Sequence, residues 1–110
     1  MNTKREHRLF TYGTLQQSKI QRQLYGRILT QEAALLCGFG LKTIRIPDHP
    51  AGTEYPALEP MDDRNALVKG AILTLTPTEL LQTDLYEGKS YKRVLTQTVA
   101  GIPCWVYILH

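Results

Sequence analysis

The stretch FTYGTL, residues 10–15, carries the strongest local signal in the sequence. Residues 8–12 have the composition of a short strand, and Gly13 interrupts it before a polar segment that begins at Gln16. A strand that ends by turning through glycine leaves several backbone N–H groups pointing into one small space. Such a concavity suits a carboxylate or a carbonyl oxygen. We therefore expect the rest of the chain to close around this turn.

The clearest helix signal lies in the second half of the chain. Thr76 suits the N-cap position, Pro77 suits the first helical position, and Glu79 follows the cap by three residues. This is the pattern of a capping box, in which the two side chains satisfy each other's backbone N–H groups. The pattern predicts a helix that continues to Tyr86 and ends at Gly88.

The remaining elements are mostly strands. Segment 16–25 has Ile20 and Leu24 four residues apart, which predicts either a short surface helix or an irregular loop. Residues 47–52 contain two prolines and a glycine and predict a loop. The last two strands are expected to form a hairpin that turns at Gly101. The strand-like segments are 8–12, 32–38, 41–46, 54–58, 66–75, 91–99 and 102–109. Segment 41–46 is a weak strand, so the sequence predicts about six strands and few helices. The class is α+β or a small mixed barrel, because a doubly wound sheet needs more helices.

Length and composition indicate one globular domain over residues 1–110, with a core at about 8–108. Apolar residues make up 43% of the chain and charged residues 21%, which excludes a disordered chain. The net charge of +3 comes largely from two short basic clusters, near the N-terminus and at residues 89–93. Binding to nucleic acid needs a longer basic face, so we expect no nucleic-acid partner. We expect a small-molecule ligand, and a monomer or weak homodimer.

Cysteine and histidine usage argues against a zinc site. Cys37 and Cys104 lie far apart among apolar residues, which favours buried thiols, although a disulfide stays open. The chain has no Cys-x-x-Cys pair, and its three histidines are scattered. The polar, basic residues 1–8 do not form a signal peptide, and no apolar run approaches the roughly 20 residues of a membrane span. These features predict a soluble, cytoplasmic protein with no membrane association.

Glu87 is the candidate for acid–base chemistry. It lies at the end of the predicted helix, where the negative end of the helix dipole raises a carboxyl pKa and apolar neighbours add to the effect. A raised pKa suits a general base that works near pH 7. On local sequence alone, a solvated surface glutamate remains the alternative. Tyr86 and Tyr91 flank the same turn. They are either aromatic packing residues or part of a pocket wall that offers a phenol donor.

Several motifs occur in one order and spacing: FTYGTL at 10–15, YPAL at 55–58, VKG at 68–70, DLYEG at 84–88, YKR at 91–93 and VY at 106–107. Together they resemble the gamma-glutamylcyclotransferase superfamily. The match is to its small branch, which includes gamma-glutamylamine cyclotransferase, plant AIG2-like proteins and bacterial YtfP-type proteins. The resemblance extends from about residue 8 to about residue 108.

The resemblance implies a compact mixed β-barrel with a few helices packed outside. It implies an enzyme that releases 5-oxoproline and a free amine or amino acid from gamma-glutamyl amides, with no cofactor or metal. Glu87 would be the general acid/base, and Arg93 a structural residue. The implied substrate-binding residues are Tyr12, Gly13, Thr14, Leu15 and Tyr91. A non-catalytic small-molecule-binding or regulatory module on the same fold is the alternative.

Two features depart from the family pattern. Many members have a glycine and then Asn or His after the Thr-Leu pair, whereas this chain has residues 16–21, QQSKIQ. Thr83 stands where leucine is usual. Both changes leave the loop and Glu87 intact, and we expect them to affect the part of the pocket that grips the departing group.

Overall fold

The computed structural model describes residues 6–45 and 54–109, so the predicted loop at 47–52 lies outside the described residues. Within them the chain forms seven strands, two α-helices and one 3-10 turn at Thr14–Gln16. The strands are β1 (His7–Thr11), β2 (Gln31–Cys37), β3 (Phe39–Arg45), β4 (Glu54–Pro60), β5 (Leu67–Leu75), β6 (Tyr91–Gln97) and β7 (Pro103–Leu109). The helices are α1 (Ser18–Tyr25) and α2 (Pro77–Glu87). The α+β class is therefore confirmed.

Strand β1 lies at the centre of a five-stranded sheet with the order β2-β5-β1-β7-β6. It pairs antiparallel with β5 and parallel with β7, while β6 and β7 form the predicted antiparallel hairpin. Strands β3 and β4 form a separate two-stranded sheet. Because parallel neighbours end at the same edge of a sheet, the loop after β1 and the end of β7 lie side by side.

The sheet curls but does not close into the expected barrel. The backbone N–H of Val99, in the turn between β6 and β7, donates to the carbonyl of Leu35 on β2 at 2.9 Å, so the two edges approach each other. The chain leaves the sheet at Gly38, whose φ of 81° turns β2 directly into β3. That conformation favours glycine. Beyond this turn, β3 and β4 pair with each other in a separate sheet and do not complete a barrel.

The core occupies both faces of β1. Leu9 and Phe10 alternate across the strand and are both fully buried, as the two-residue period of a strand requires. One cluster, below the helices, includes Leu9, Leu73, Leu80 and Tyr107. The other includes Phe10, Leu58, Ile72 and Val106. The loop that follows β1 therefore starts from a strand that is packed on both sides.

Local sequence explains both helices. The Thr76 hydroxyl accepts from the Glu79 N–H at 3.1 Å, and the Glu79 carboxylate accepts from the Thr76 N–H at 2.9 Å, so the predicted capping box is confirmed. For segment 16–25 the sequence allowed a short surface helix or an irregular loop, and the structure shows the helix α1. This helix is capped at its C-terminal end by Gly26, which has a φ of 73°. No helix among the described residues is long and apolar enough to cross a membrane.

The contacts around Gly70 explain why the VKG motif contains a glycine. A Cβ atom on Gly70 would overlap the carbonyl oxygen of Thr11 and would lie 2.6 Å from Cζ of Phe10. The missing side chain therefore lets β5 and β1 approach closely at the strand end that carries the pocket loop.

Cys37 and Cys104 are both free thiols; Cys104 is buried, whereas Cys37 is only half-buried.

Candidate active site

A pocket with a cavity volume of about 50 Å³ lies at the edge of the sheet where β1 and β7 end and β6 begins. This volume holds only a few water-sized groups. All six residues that the sequence analysis selected as catalytic or substrate-binding line it. The lining residues are Phe10, Thr11, Tyr12, Gly13, Thr14, Leu15, Pro56, Tyr86, Glu87, Tyr91 and Tyr107. Sequence reasoning missed Tyr107 as a pocket residue, although the VY motif contained it.

Glu87 is the last residue of α2, and its side chain faces this pocket. Burial raises its pKa from 4.5 to about 7. Glu87 is partly exposed to solvent, so a fully solvated surface glutamate does not describe it. The sequence predicted this direction from two causes, the helix dipole and apolar neighbours; the cause in the structure is burial, which corresponds to the second. Among the described residues that line the pocket, Glu87 alone has a carboxyl side chain.

The loop after β1 presents its backbone to the pocket. The first bond of the 3-10 turn runs from Gln16 N–H to the Gly13 carbonyl at 3.2 Å. The turn itself thus offers no acceptor to the N–H groups of residues 13–15. Gly13 has a φ of −133°, so backbone strain does not demand glycine there. A Cβ on Gly13 would lie 3.9 Å from Cγ of Pro56, a second lining residue. The glycine therefore leaves space within the pocket.

Helix α1 supports this loop through a buried glutamine. Gln21 is 1% exposed; its Nε2 donates to the Leu15 carbonyl at 2.8 Å, and its Oε1 accepts from the Leu29 N–H at 2.9 Å. The departure at residues 16–21 thus includes a residue that fixes the end of the pocket loop. Thr83, the second departure, does not line the pocket. It is buried between the helices, where its hydroxyl donates to the Glu79 carbonyl and contacts the Tyr25 hydroxyl.

The hydroxyl groups of two predicted pocket tyrosines hold the walls together. The Tyr12 hydroxyl donates to the Tyr107 carbonyl at 3.0 Å and accepts from the Leu58 N–H at 3.3 Å. The Tyr91 hydroxyl donates to the Pro56 carbonyl at 3.1 Å. These residues therefore offer the pocket mainly their rings and, for Tyr12, the backbone. Tyr91 thus lies in the pocket wall, and its phenol hydroxyl donates to the backbone of Pro56, another lining residue.

Two hydroxyl groups join the helix end to the pocket loop. Thr14 Oγ1 and the Tyr86 hydroxyl lie 2.9 Å apart in a hydrogen bond. Tyr86 directly precedes Glu87, so this bond ties the backbone beside the carboxylate to the loop opposite. The sequence placed Tyr86 near the site but gave it no partner.

A charged network lies behind Glu87. Asp84 accepts from Arg93 Nε at 2.8 Å, from Arg93 Nη2 at 2.9 Å and from the Tyr107 hydroxyl at 2.6 Å. Burial opposes ionisation of Asp84, but the hydrogen bonds from Arg93 and Tyr107 outweigh it and hold its pKa below the ordinary value. The Arg93 guanidinium also stacks 4.2 Å from the centre of the Trp105 ring. The expected structural role of Arg93 agrees with this pairing.

No three His, Cys, Asp or Glu side chains converge on a metal-binding position in the described ranges 6–45 and 54–109.

A family model described as "Gamma-glutamyl cyclotransferase, AIG2-like" matches residues 9–110. The chain belongs to this family. A curated member of AIG2-like type, AIG2-like protein B of Arabidopsis thaliana, is 35% identical over 94 residues, which is 84% of this chain and 50% of that protein. The chain thus spans half the length of this AIG2-like relative.

Solved structures share the AIG2-like fold. The solution structure of an Arabidopsis thaliana protein superposes with a TM-score of 0.76 at 21% identity, over 99% of this chain and 66% of that one. A structure titled gamma-glutamyl cyclotransferase gives a TM-score of 0.72 at 17% identity, over 96% and 68% of the two chains. At these identities the likeness concerns the fold alone.

Proposed function

We propose that this protein is a gamma-glutamylcyclotransferase that releases 5-oxoproline and a free amine or amino acid from gamma-glutamyl amides, with Glu87 as general acid/base. The observation that carries the proposal is a carboxyl group in a small pocket whose pKa burial raises to about 7. Such a group exchanges protons readily near neutral pH. Membership of the AIG2-like family supports the same reaction class.

The reaction needs proton transfers but no added nucleophile. After the substrate's α-ammonium group loses one proton to solvent, the amine nitrogen attacks the γ-carbonyl carbon and a new C–N bond closes a five-membered ring. The ring nitrogen passes a second proton to the Glu87 carboxylate. Glu87 then gives that proton to the leaving nitrogen as the original amide C–N bond breaks. The products are 5-oxoproline and the amine, and no water is consumed.

The pocket supports this reaction through its shape and its donors. Because the attack is intramolecular, holding the glutamyl chain in a folded conformation supplies much of the acceleration. No lysine or arginine is among the described residues that line the pocket. Substrate oxygens would therefore receive hydrogen bonds from the backbone N–H groups of residues 13–15, either at the α-carboxylate or at the oxyanion that forms on the γ-carbon.

The experiment measures 5-oxoproline release from a panel of gamma-glutamyl amines and gamma-glutamyl dipeptides. Wild type and the exposed-site control Glu32→Gln should release 5-oxoproline from at least one member. Glu87→Gln should be slower by roughly 10²–10⁴-fold, the usual contribution of a general acid/base. Full activity in Glu87→Gln would overturn its role. Saturable binding of these amides to a folded wild type that turns none over would favour the non-catalytic binding module.

A further inference from the structure

We propose that Asp84, Arg93 and Tyr107 form a positioning network that holds the Glu87 carboxylate inside the pocket. The proposal rests on the role of Glu87 given above and assigns to these three residues a function in the same reaction. None of the three needs to exchange a proton with the substrate. Their effect on the reaction would pass through the last turn of α2.

Asp84 is the point where that last turn is attached to the sheet. It lies three residues before Glu87, a separation that places both on neighbouring positions of one helix side. Its carboxylate receives donors from two strands, the Arg93 guanidinium of β6 and the Tyr107 hydroxyl of β7. The outward-facing residues of the same half of the helix, Leu81 and Leu85, are 62% and 84% exposed, so they contribute little packing. The polar attachment of Asp84 therefore fixes this turn together with Tyr86, which packs against the core and is hydrogen-bonded to Thr14.

Both donors are themselves held in place. The Arg93 guanidinium binds Asp84 in bidentate geometry and stacks on Trp105, which leaves it little freedom to turn. Tyr107 is 5% exposed, and its carbonyl accepts the hydroxyl of Tyr12 from the pocket loop. A continuous path thus runs from the pocket loop through Tyr107 and Asp84 to the turn that carries Glu87.

Helix α2 contains a matched control at its other end. Glu79 binds Arg27 in the same bidentate geometry, with both N···O distances at 2.7 Å. This pair joins α2 to the segment after α1, and neither partner lines the pocket. Glutamine at position 79 preserves the capping box. Glu79→Gln therefore breaks an equivalent ion pair on the same helix without touching the Glu87 turn.

The first readout is the titration of the Glu87 carboxyl carbon by NMR, with the resonance assigned by its absence in Glu87→Gln. The other titratable or charged groups near Glu87 are Tyr12, Tyr25, Asp84, Tyr86, Tyr91, Arg93 and Tyr107. In wild type the midpoint should lie at about 7. In Asp84→Asn the freed turn should let water reach the carboxyl group, and the midpoint should fall by at least one pKa unit toward 4.5. Glu79→Gln should keep the wild-type midpoint.

Tyr107→Phe separates positioning from simple charge effects, because it removes one hydrogen bond to Asp84 and changes no charge. If the network positions Glu87, this variant also lowers the midpoint. If Asp84 acts only through its charge, Tyr107→Phe would leave the Glu87 midpoint unchanged or raise it, because the variant removes only a hydroxyl group from the pocket. That result would show the proposal to be wrong. The same conclusion follows if Glu79→Gln shifts the midpoint as far as Asp84→Asn does.

The second readout is the rate of 5-oxoproline release. Asp84→Asn should lower kcat by roughly ten- to a hundredfold with a smaller change in KM, because misplacing a catalytic group acts mainly on the chemical step. Wild-type kcat in a folded Asp84→Asn variant would overturn the proposal. Absence of turnover in wild type would overturn the proposed reaction instead. The carboxyl titration would still decide whether the network holds Glu87 in place.

Discussion

The buried carboxyl group of Glu87 should destabilise the folded protein at alkaline pH, and Glu87→Gln should remove that cost. The folded-state pKa of about 7 lies above the ordinary value of 4.5, so ionisation favours the unfolded chain. The contribution of Glu87 to stability is complete below pH 4.5 and is lost as the pH rises through 7. At 1.36 kcal/mol for each pKa unit, the difference amounts to about 3 kcal/mol above pH 8.

The assay is urea unfolding of wild type and Glu87→Gln at pH 5 and pH 9. Glutamine keeps the shape of the side chain and carries no charge, so the variant should gain up to about 3 kcal/mol over wild type at pH 9 and much less at pH 5. Glu32→Gln, at an exposed site on β2, should stay within about 0.5 kcal/mol of wild type at both values. Equal effects of Glu87→Gln at the two pH values would refute the argument that burial raises the Glu87 pKa.

Three further predictions concern the frame of the pocket. Gly70→Ala should lower the free energy of unfolding by about 1–3 kcal/mol in urea titrations, because its Cβ overlaps the backbone of β1; unchanged stability would contradict the close approach. Tyr12→Phe should cost about 1–3 kcal/mol by the same measurement, since it leaves a carbonyl and an N–H without their hydroxyl partner. Burial raises the pKa of the Cys104 thiol to about 11, so a thiol reagent at pH 8 should modify half-buried Cys37 first and Cys104 only after unfolding. Equal rates for the two thiols would argue against that burial.

Elements fixed by neighbouring residues were predictable from the sequence. The capping box of α2 involves residues three apart, so its partners are visible in a short stretch of sequence. The hairpin of β6 and β7 is likewise determined by two adjacent strands and the turn at Gly101, which has a φ of 86°. The position of the pocket loop followed from a strand that ends at glycine.

Features that depend on distant residues were less accessible. The sequence offered only a strand end at Gly38, whereas in the structure the chain turns there into β3, which pairs with β4 in a separate sheet. The sequence drew attention to Asp84 and Arg93 as motif residues, but the hydrogen bonds that Asp84 accepts from Arg93 and Tyr107 depend on how β6 and β7 lie beside α2. The same packing buries Glu87; the sequence predicted the direction of its pKa shift and named apolar neighbours as a contributing cause, but it could not show how far burial extends.

The pH dependence of kcat/KM for 5-oxoproline release tests the central claim most directly. For wild type acting on its best gamma-glutamyl amide, the account predicts a rise with pH whose midpoint lies near 7, where the Glu87 carboxyl group of the free enzyme loses its proton. In Glu87→Gln the step with its midpoint near 7 should disappear together with most of the activity. A wild-type profile that is flat between pH 5 and pH 8, or the same rise in Glu87→Gln, would contradict the assignment of Glu87 as the acid/base.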